Sequence, residues 1–488
     1  MKKRYINFFY IAIGVLLTLF FFIKYPIVFY TADDWNNMLL NRSILPEWGG
    51  YNPSKVFPEV FYPIMCQLSV QGMIPIIQFA SSLSFAEEYI AAFELTNAIV
   101  MAVFITAYVW VIKEFLSSVT KNDFEANIVA VIVLLMHFLL FVSGSENNLY
   151  LFEDLCVTGM YHYVLPGLLN AILVMGLFIY HKRETNHRFL AKIVIILGIY
   201  FSVFSNMFCS VILVSFSGVY ILQRVLETRK IKETLQTTGY EVLSIVLWVI
   251  SLLFEYSGGR AAAVSTGNGF FNSSVNDILQ VLVANAKSMN KLFFLLVIIV
   301  IAWGLFIERT VDRKILFLFL LCGFLCFLYS CILSAKINAG YLTRTAILFP
   351  MYFYLLLCFG LCFSYVIQHG TFILRIGALC LVGFMLLFFV SHINDYIQLN
   401  FYNIPADKCE AIDEDIINQI LAANESEDEE FLIYVPKGDD IDNWPHSFFL
   451  NETLGKIMYQ QKIVHRERKF ILEPDAMKNK IIESQNKN

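Results

Sequence analysis

Two adjacent carboxylates, Asp33 and Asp34, sit in the stretch Tyr30-Thr31-Ala32-Asp33-Asp34-Trp35, just past the first apolar run of the chain. Neighbouring acids repel, which raises the pKa of one of them. A carboxyl tuned in this way suits a general base that takes a proton from a sugar or lipid hydroxyl. Trp35 beside them could stack on a sugar ring or sit in the interfacial aromatic belt. The plainer alternative is a solvated loop start that caps a helix. A second acidic stretch runs Ser145-Glu146-Asn147-Asn148, then Glu153-Asp154, then Gly159-Met160-Tyr161-His162-Tyr163, and residues 144–163 contain no Lys or Arg. Acids in this setting could meet a metal ion or a donor hydroxyl. His162 could hydrogen-bond a phosphate or stay neutral, and Tyr161-His162-Tyr163 also fits an ordinary interfacial aromatic cluster.

Three bases complete the set. Arg344 lies in Tyr341-Leu342-Thr343-Arg344-Thr345, Lys336 stands shortly before it, and Arg260 lies in Ser257-Gly258-Gly259-Arg260, close to Gly267 and Gly269. A guanidinium grips phosphate in a bidentate way, so Arg344 is a candidate for a lipid-linked phosphate, with ordinary headgroup contact as the alternative. Asn206 reads as a helix cap, and Glu94 as an acid one turn inside an apolar run. The ten cysteines show no CxxC pair and no metal-ligand spacing, so they read as small apolar filler.

These residues are positioned by a chain of 488 residues, 58% hydrophobic and only 15% charged. A soluble chain carries roughly 25% charged residues. Together with recurrent apolar runs of about 20 residues, this excludes a soluble enzyme, a disordered scaffold and a nucleic-acid binder, and it indicates a polytopic membrane protein. Lys2, Lys3 and Arg4 precede the first apolar run, which ends at Lys24-Tyr25-Pro26 with no small-residue cleavage site, so it reads as an uncleaved span. Further spans are expected near 89–112, 127–143, 164–180, 189–205, 207–223, 238–255, 291–307, 314–333, 345–367 and 371–392, eleven in all. With the N-terminus cytoplasmic, the inner segments hold 17 Lys and Arg and the outer loops 8, the bias the positive-inside rule requires. The long loops, 24–88, 144–163 and 256–290, then all fall outside, and both acidic stretches with them. Within the first, Phe61 to Ala80 is apolar but broken by Pro63, Gly72 and Pro75, and reads as a helix lying in the interface.

The net charge of −5 is uneven. Residues 393–488 carry 19 acids and 10 bases, whereas residues 1–392 carry 21 acids and 25 bases. The expected organisation is an all-α membrane bundle over 1–392 followed by a small, acidic, extracytoplasmic α/β tail over 393–488. In the tail a helix is expected near 407–423 and a strand over Phe431-Leu432-Ile433-Tyr434-Val435, stopped by Pro436.

Asp33-Asp34 directly after the first span, Glu153-Asp154 in the second outer loop, Arg344 late in the bundle and a water-facing tail together resemble the GT-C superfamily of integral-membrane glycosyltransferases. The resemblance covers the architecture of most of the chain, through short motifs. It implies transfer of a sugar from a polyprenyl-phosphate-linked donor, on the outer face and with inversion, to a glycan, polymer or lipid acceptor of the cell envelope. It places the catalytic base on Asp33 or Asp34. It makes Trp35, Glu153, Asp154, Tyr161, His162, Arg260, Lys336 and Arg344 candidates for substrate binding. In one branch of the superfamily a divalent cation (Mg or Mn) is held by acids of the first two outer loops, here Asp34, Glu153 and Asp154; other branches do without it. No WWDYG-like signature is present, which argues against an oligosaccharyltransferase. The rival readings are a lipid-linked glycan transporter or flippase, which would carry charged or broken helices near the midplane, a polysaccharide polymerase, which would want an Arg-rich outer loop, and a non-catalytic membrane scaffold acting through its tail.

Overall fold

The computed structural model describes residues 2–39, 44–45, 50–51, 56–80, 82–144, 147–154, 156–182, 189–257, 271–308, 310–369, 372–399, 403–437 and 450–483. Apolar runs dictate helices. Helix α1 (Lys2–Leu19) continues through a wider turn, Phe20–Lys24. It is followed by the one-turn α2 (Ala32–Asn36), a two-residue antiparallel pair β1 (Ile44–Leu45) and β2 (Gly50–Tyr51), and α3 (Phe57–Ala80). The bundle continues with α4 (Phe85–Thr120), α5 (Asp123–Leu139), α6 (Val157–Lys182), α7 (Phe189–Val203), α8 (Met207–Thr228) and α9 (Gly239–Ser257). It closes with α10 (Val275–Ser288), α11 (Lys291–Phe306), α12 (Arg313–Ile337), α13 (Thr345–His369) and α14 (Phe372–Ser391).

All eleven expected spans are helices, but their lengths support fewer crossings. Among the described residues seven helices are long and apolar enough to cross a membrane, or eight if the bent pair α10 and α11 counts as one; α7 and the apolar parts of α1 and α14 are shorter. The 15 residues of α7 reach only about 22 Å at 1.5 Å per residue, against a hydrocarbon core of about 30 Å. The α7–α8 turn is real: Asn206 caps α8 by accepting from the Phe208 N–H at 2.8 Å, as its position suggests.

The seven include α3, expected to lie in the interface. Its start is held beside the α7–α8 turn by Val56 N donating to Phe204 O, and by Phe57 and Phe61 against Phe104. At its end Gln78 bonds Glu88 at 2.8 Å near the start of α4. It therefore runs back along the first half of α4 and does not approach the far end of the bundle, where Lys113 pairs with Glu114 and Asp123. The segment 275–288, expected as loop, is the helix α10, set at 98° to α11. Ser274 and Asp277 form its capping box.

The tail builds α15 (Ala406–Ala423), β3 (Glu430–Pro436), α16 (Leu450–Gln460) and β4 (Lys469–Asp475). The two strands pair in parallel, Glu430 opposite Lys469, so α16 is the crossover between them. The tail sits on the end of the bundle that carries both acidic loops. Asn148 N donates to Asp395 O and Ile397 N to Asn148 O, Tyr396 Oη donates to Phe138 O, Gln398 bonds the Lys24 carbonyl, and Gln461 donates to Met38 O.

Candidate functional site

Thr31 is extended, so the chain turns sharply into α2 and Asp34 reaches back as the acidic half of a capping box. Its Oδ2 accepts from Tyr30 N (2.8 Å) and Thr31 N (3.0 Å), and its Oδ1 accepts from Thr158 N of the second loop (2.7 Å). Asp34 is wholly buried. Burial pushes its pKa up to about 7, outweighing the three backbone donors that favour the charged form. Asp33, one position round the same turn, is exposed. Trp35 is 1% exposed and stacks on Phe29, which stacks on Phe93, so no face is left for a sugar ring.

The second loop is held on the other side by α13, where Thr345 Oγ1 donates to the carbonyls of Tyr150 (2.9 Å) and Glu153 (3.4 Å). Glu153 is buried and accepts from Tyr150 N. Burial drives its pKa well above the usual carboxyl value, and neighbouring Asp154 adds to this. Asp154 packs directly over the Cα of Gly159, where any Cβ would overlap the carboxyl group, and Cys156 Sγ lies 3.6 Å from its Oδ1. Burial opposes the Arg344 charge, but Asp154, with smaller contributions from Tyr163, Cys156 and Tyr341, raises its pKa on balance. The guanidinium lies over the rings of Tyr341 (5.4 Å) and Tyr163 (5.8 Å).

Several expected residues thus converge. Asp34 grips the amide of Thr158 while Asp154 sits on Gly159, the next residue, so the two carboxylates are at most about 11 Å apart, given 3.8 Å between consecutive Cα atoms. Arg344 joins them through Asp154. Beneath lies a narrow cleft with about 540 Å³ of empty space, some of it continuous with solvent, whose walls include Tyr25, Tyr30, Tyr150, Glu153, Asp154 and, from the tail, Gln398.

The remaining candidates have other surroundings. Tyr161 is buried in the bundle, donating to Asn97 Oδ1 and packed on Tyr62, which itself donates to Asp34 O. His162 is nearly buried beside Tyr163. Lys336 is half-buried in the last turn of α12, next to Ala335, whose carbonyl accepts from Asn272 N and Ser273 N. Arg260 and Glu146 lie outside the described residues.

The sequence reading passed over four contributors: Gly159, Thr345, Tyr163 and α10. Asn285 of α10 donates to Leu342 O at 2.7 Å and so steadies the turn before Arg344. The Ser274-x-x-Asp277 spacing was a usable signal for α10; the other three carry none. Asp34, Glu153 and Asp154 do not fit a shared divalent cation as they stand. Both oxygens of Asp34 are occupied by backbone donors, and among the described residues no three His, Cys, Asp or Glu side chains are arranged around a common point.

No family model, no curated protein and no solved structure matches the chain. What does follow from the fold is a helical membrane protein with one acid-lined end, where an exposed carboxylate, a tuned carboxyl pair and a guanidinium stand over a narrow cleft.

Proposed function

We propose that the chain is an integral-membrane glycosyltransferase of the GT-C type. It moves a sugar from a polyprenyl-phosphate carrier to a cell-envelope acceptor with inversion. Its N-terminus is cytoplasmic, and the acidic end of the bundle, with the tail, faces the extracytoplasmic side. The observation that carries this reading is the Asp34–Thr158 hydrogen bond, which holds the first acidic loop against the second and so sets Asp33 and Asp34 beside Asp154 and Arg344.

In this reading the two adjacent acids divide the work. Asp34, saturated by backbone donors, positions the loops. Asp33, the exposed member, is the general base. The acceptor oxygen attacks the anomeric carbon as its proton passes to the Asp33 carboxylate. The bond from that carbon to the phosphate oxygen breaks, and the lipid phosphate departs with the electron pair. Arg344 stabilises the charge that develops on it. Attack opposite the phosphate inverts the centre.

The test is sugar transfer from a polyprenyl-phosphate donor by membranes containing the protein. Asp33→Asn is expected to lower the rate by about 10²–10⁴-fold at unchanged protein level. Arg344→Ala should weaken donor use, with Arg344→Lys retaining part of it as a point charge. Full transfer by the Asp33→Asn/Asp34→Asn double variant would remove the catalytic assignment and leave the transporter and scaffold readings ahead.

A further inference from the structure

The contact between the tail and the bundle buries acids from both sides. Asp413 of α15 is wholly buried, and neither of its carboxyl oxygens has a hydrogen-bond partner. Facing it are Trp35 and Asp34 of the first loop, Tyr89 and Glu94 of α4, and Glu410 of α15 itself. The Trp35 indole N–H points at this carboxyl without reaching hydrogen-bond geometry. Glu94 is 5% exposed and its Oε1 is likewise unpartnered. The other elements packed on α15 bring no relief. β3 meets it through Tyr434, whose backbone N–H and carbonyl are both bonded to Gln419. Lys478, from the C-terminal turn, is paired with Asp415 at 2.7 Å. Lys408 is buried five residues before Asp413 on the same helix.

Carboxylates crowded in a dry contact cannot all ionise without a counter-charge; one or more keeps its proton. Burial drives Asp413 well above the ordinary carboxyl range, Trp35 pulls weakly the other way, and Asp34, Glu94 and Glu410 push it further up. An isolated acid in this position weakens the contact whenever it ionises, and it therefore senses pH.

We propose that Asp413 is a proton latch: as the neutral acid it holds the C-terminal segment against the bundle, and its ionisation releases that segment. The same segment lends Ile397, Gln398 and Leu399 to the wall of the cleft, so release also opens the cleft. The latch does not depend on which reaction the cleft performs. Its sign is fixed by linkage. The docked carboxyl binds its proton more tightly than the free one, so docking is firmest in acid. It weakens as pH climbs above the ordinary value of 3.8 towards the raised docked value, by up to about tenfold per pH unit for one proton released.

Hydrogen exchange of the α15 amides, in the full-length protein in lipid nanodiscs and corrected for intrinsic exchange rates, reads the docking directly. Between about pH 5.5 and 9 the opening constant of α15 should rise by up to about tenfold per unit in the wild type. Asp413→Asn should flatten the profile by one proton and stay docked at the alkaline end. A pH-independent wild type, or an Asp413→Asn protein with the full wild-type slope, overturns the latch. Should Asp413→Asn fail to fold, Glu94→Gln decides. Removing a neighbouring acid must shift release to higher pH, and an unchanged profile overturns the proposal.

Discussion

At the scale of the residue, the adjacent acids are chemically identical in sequence and opposite in structure. Asp34 satisfies three backbone N–H groups in a buried turn, and each buried donor left without an acceptor costs about 1–3 kcal/mol. Asp34→Ala is therefore expected to destabilise the protein by about 3 kcal/mol or more, read as a lowered unfolding temperature in detergent. Asp33→Asn should stay within about 0.5 kcal/mol of wild type. Asp34 also carries a pH signature. Its folded pKa of about 7 lies above the ordinary 3.8, so its contribution is fully present in acid and is lost as pH rises from about 4 through about 7. Asp34→Asn should flatten the unfolding profile over that interval, and an unaltered slope would show that Asp34 stays ionised throughout. Gly159 makes a related case. Any Cβ there overlaps the Asp154 carboxyl, so Gly159→Ala must displace either Asp154 or the turn. A loss of about 1–3 kcal/mol is expected, relieved in the Gly159→Ala/Asp154→Ala double variant.

At the scale of the element, helices that do not cross are as important as those that do. α10 turns 98° away from α11, and its exposed face carries Val275, Leu279 and Val283, at 53–77% exposure. That is the face of a helix lying at the membrane surface, with its far side tied to the turn before Arg344. A fluorophore at Leu279→Cys should be quenched by lipids labelled near the headgroup, and one at the exposed Leu295 of α11 by lipids labelled deep in the acyl chain. Equal depths would mean that α10 inserts like an ordinary span. The α7–α8 turn offers a smaller test. Asn206→Ala removes the cap of α8 and should cost about 1 kcal/mol.

At the scale of the whole molecule, the two ends differ in kind. One gathers the acidic loops, Arg344 and the tail. The other holds Lys113 with Asp123, Lys314 with Glu227 and Arg375 with Glu125. Basic loops stay in the cytoplasm, so a periplasm-type reporter fused after Asn488 is expected to be active and one fused near Arg229 silent. The reverse pattern would place the cleft on the cytoplasmic side and remove the sugar-donor reading.

The sequence by itself determined everything that rests on local composition. Apolar runs placed all eleven helices of the bundle, because helix formation in an apolar phase follows from backbone hydrogen bonds that each segment satisfies alone. The helix at 406–423 and the strand before Pro436 were legible for the same reason, through periodicity and a residue that cannot continue a ladder. The pairing of the acidic loops with Arg344 was visible only as a likeness of spacing. Tertiary structure decided the rest. It divided Asp33 from Asp34, since one turn of helix sends one carboxylate to solvent and the other to the amide of a residue 124 positions away. It turned Trp35 from a surface aromatic into a buried one by laying the tail over it. It set Asp413 against Glu94 and Asp34. Each of these depends on which distant segment covers a side chain, and burial, unlike helix formation, is a property that no segment possesses alone.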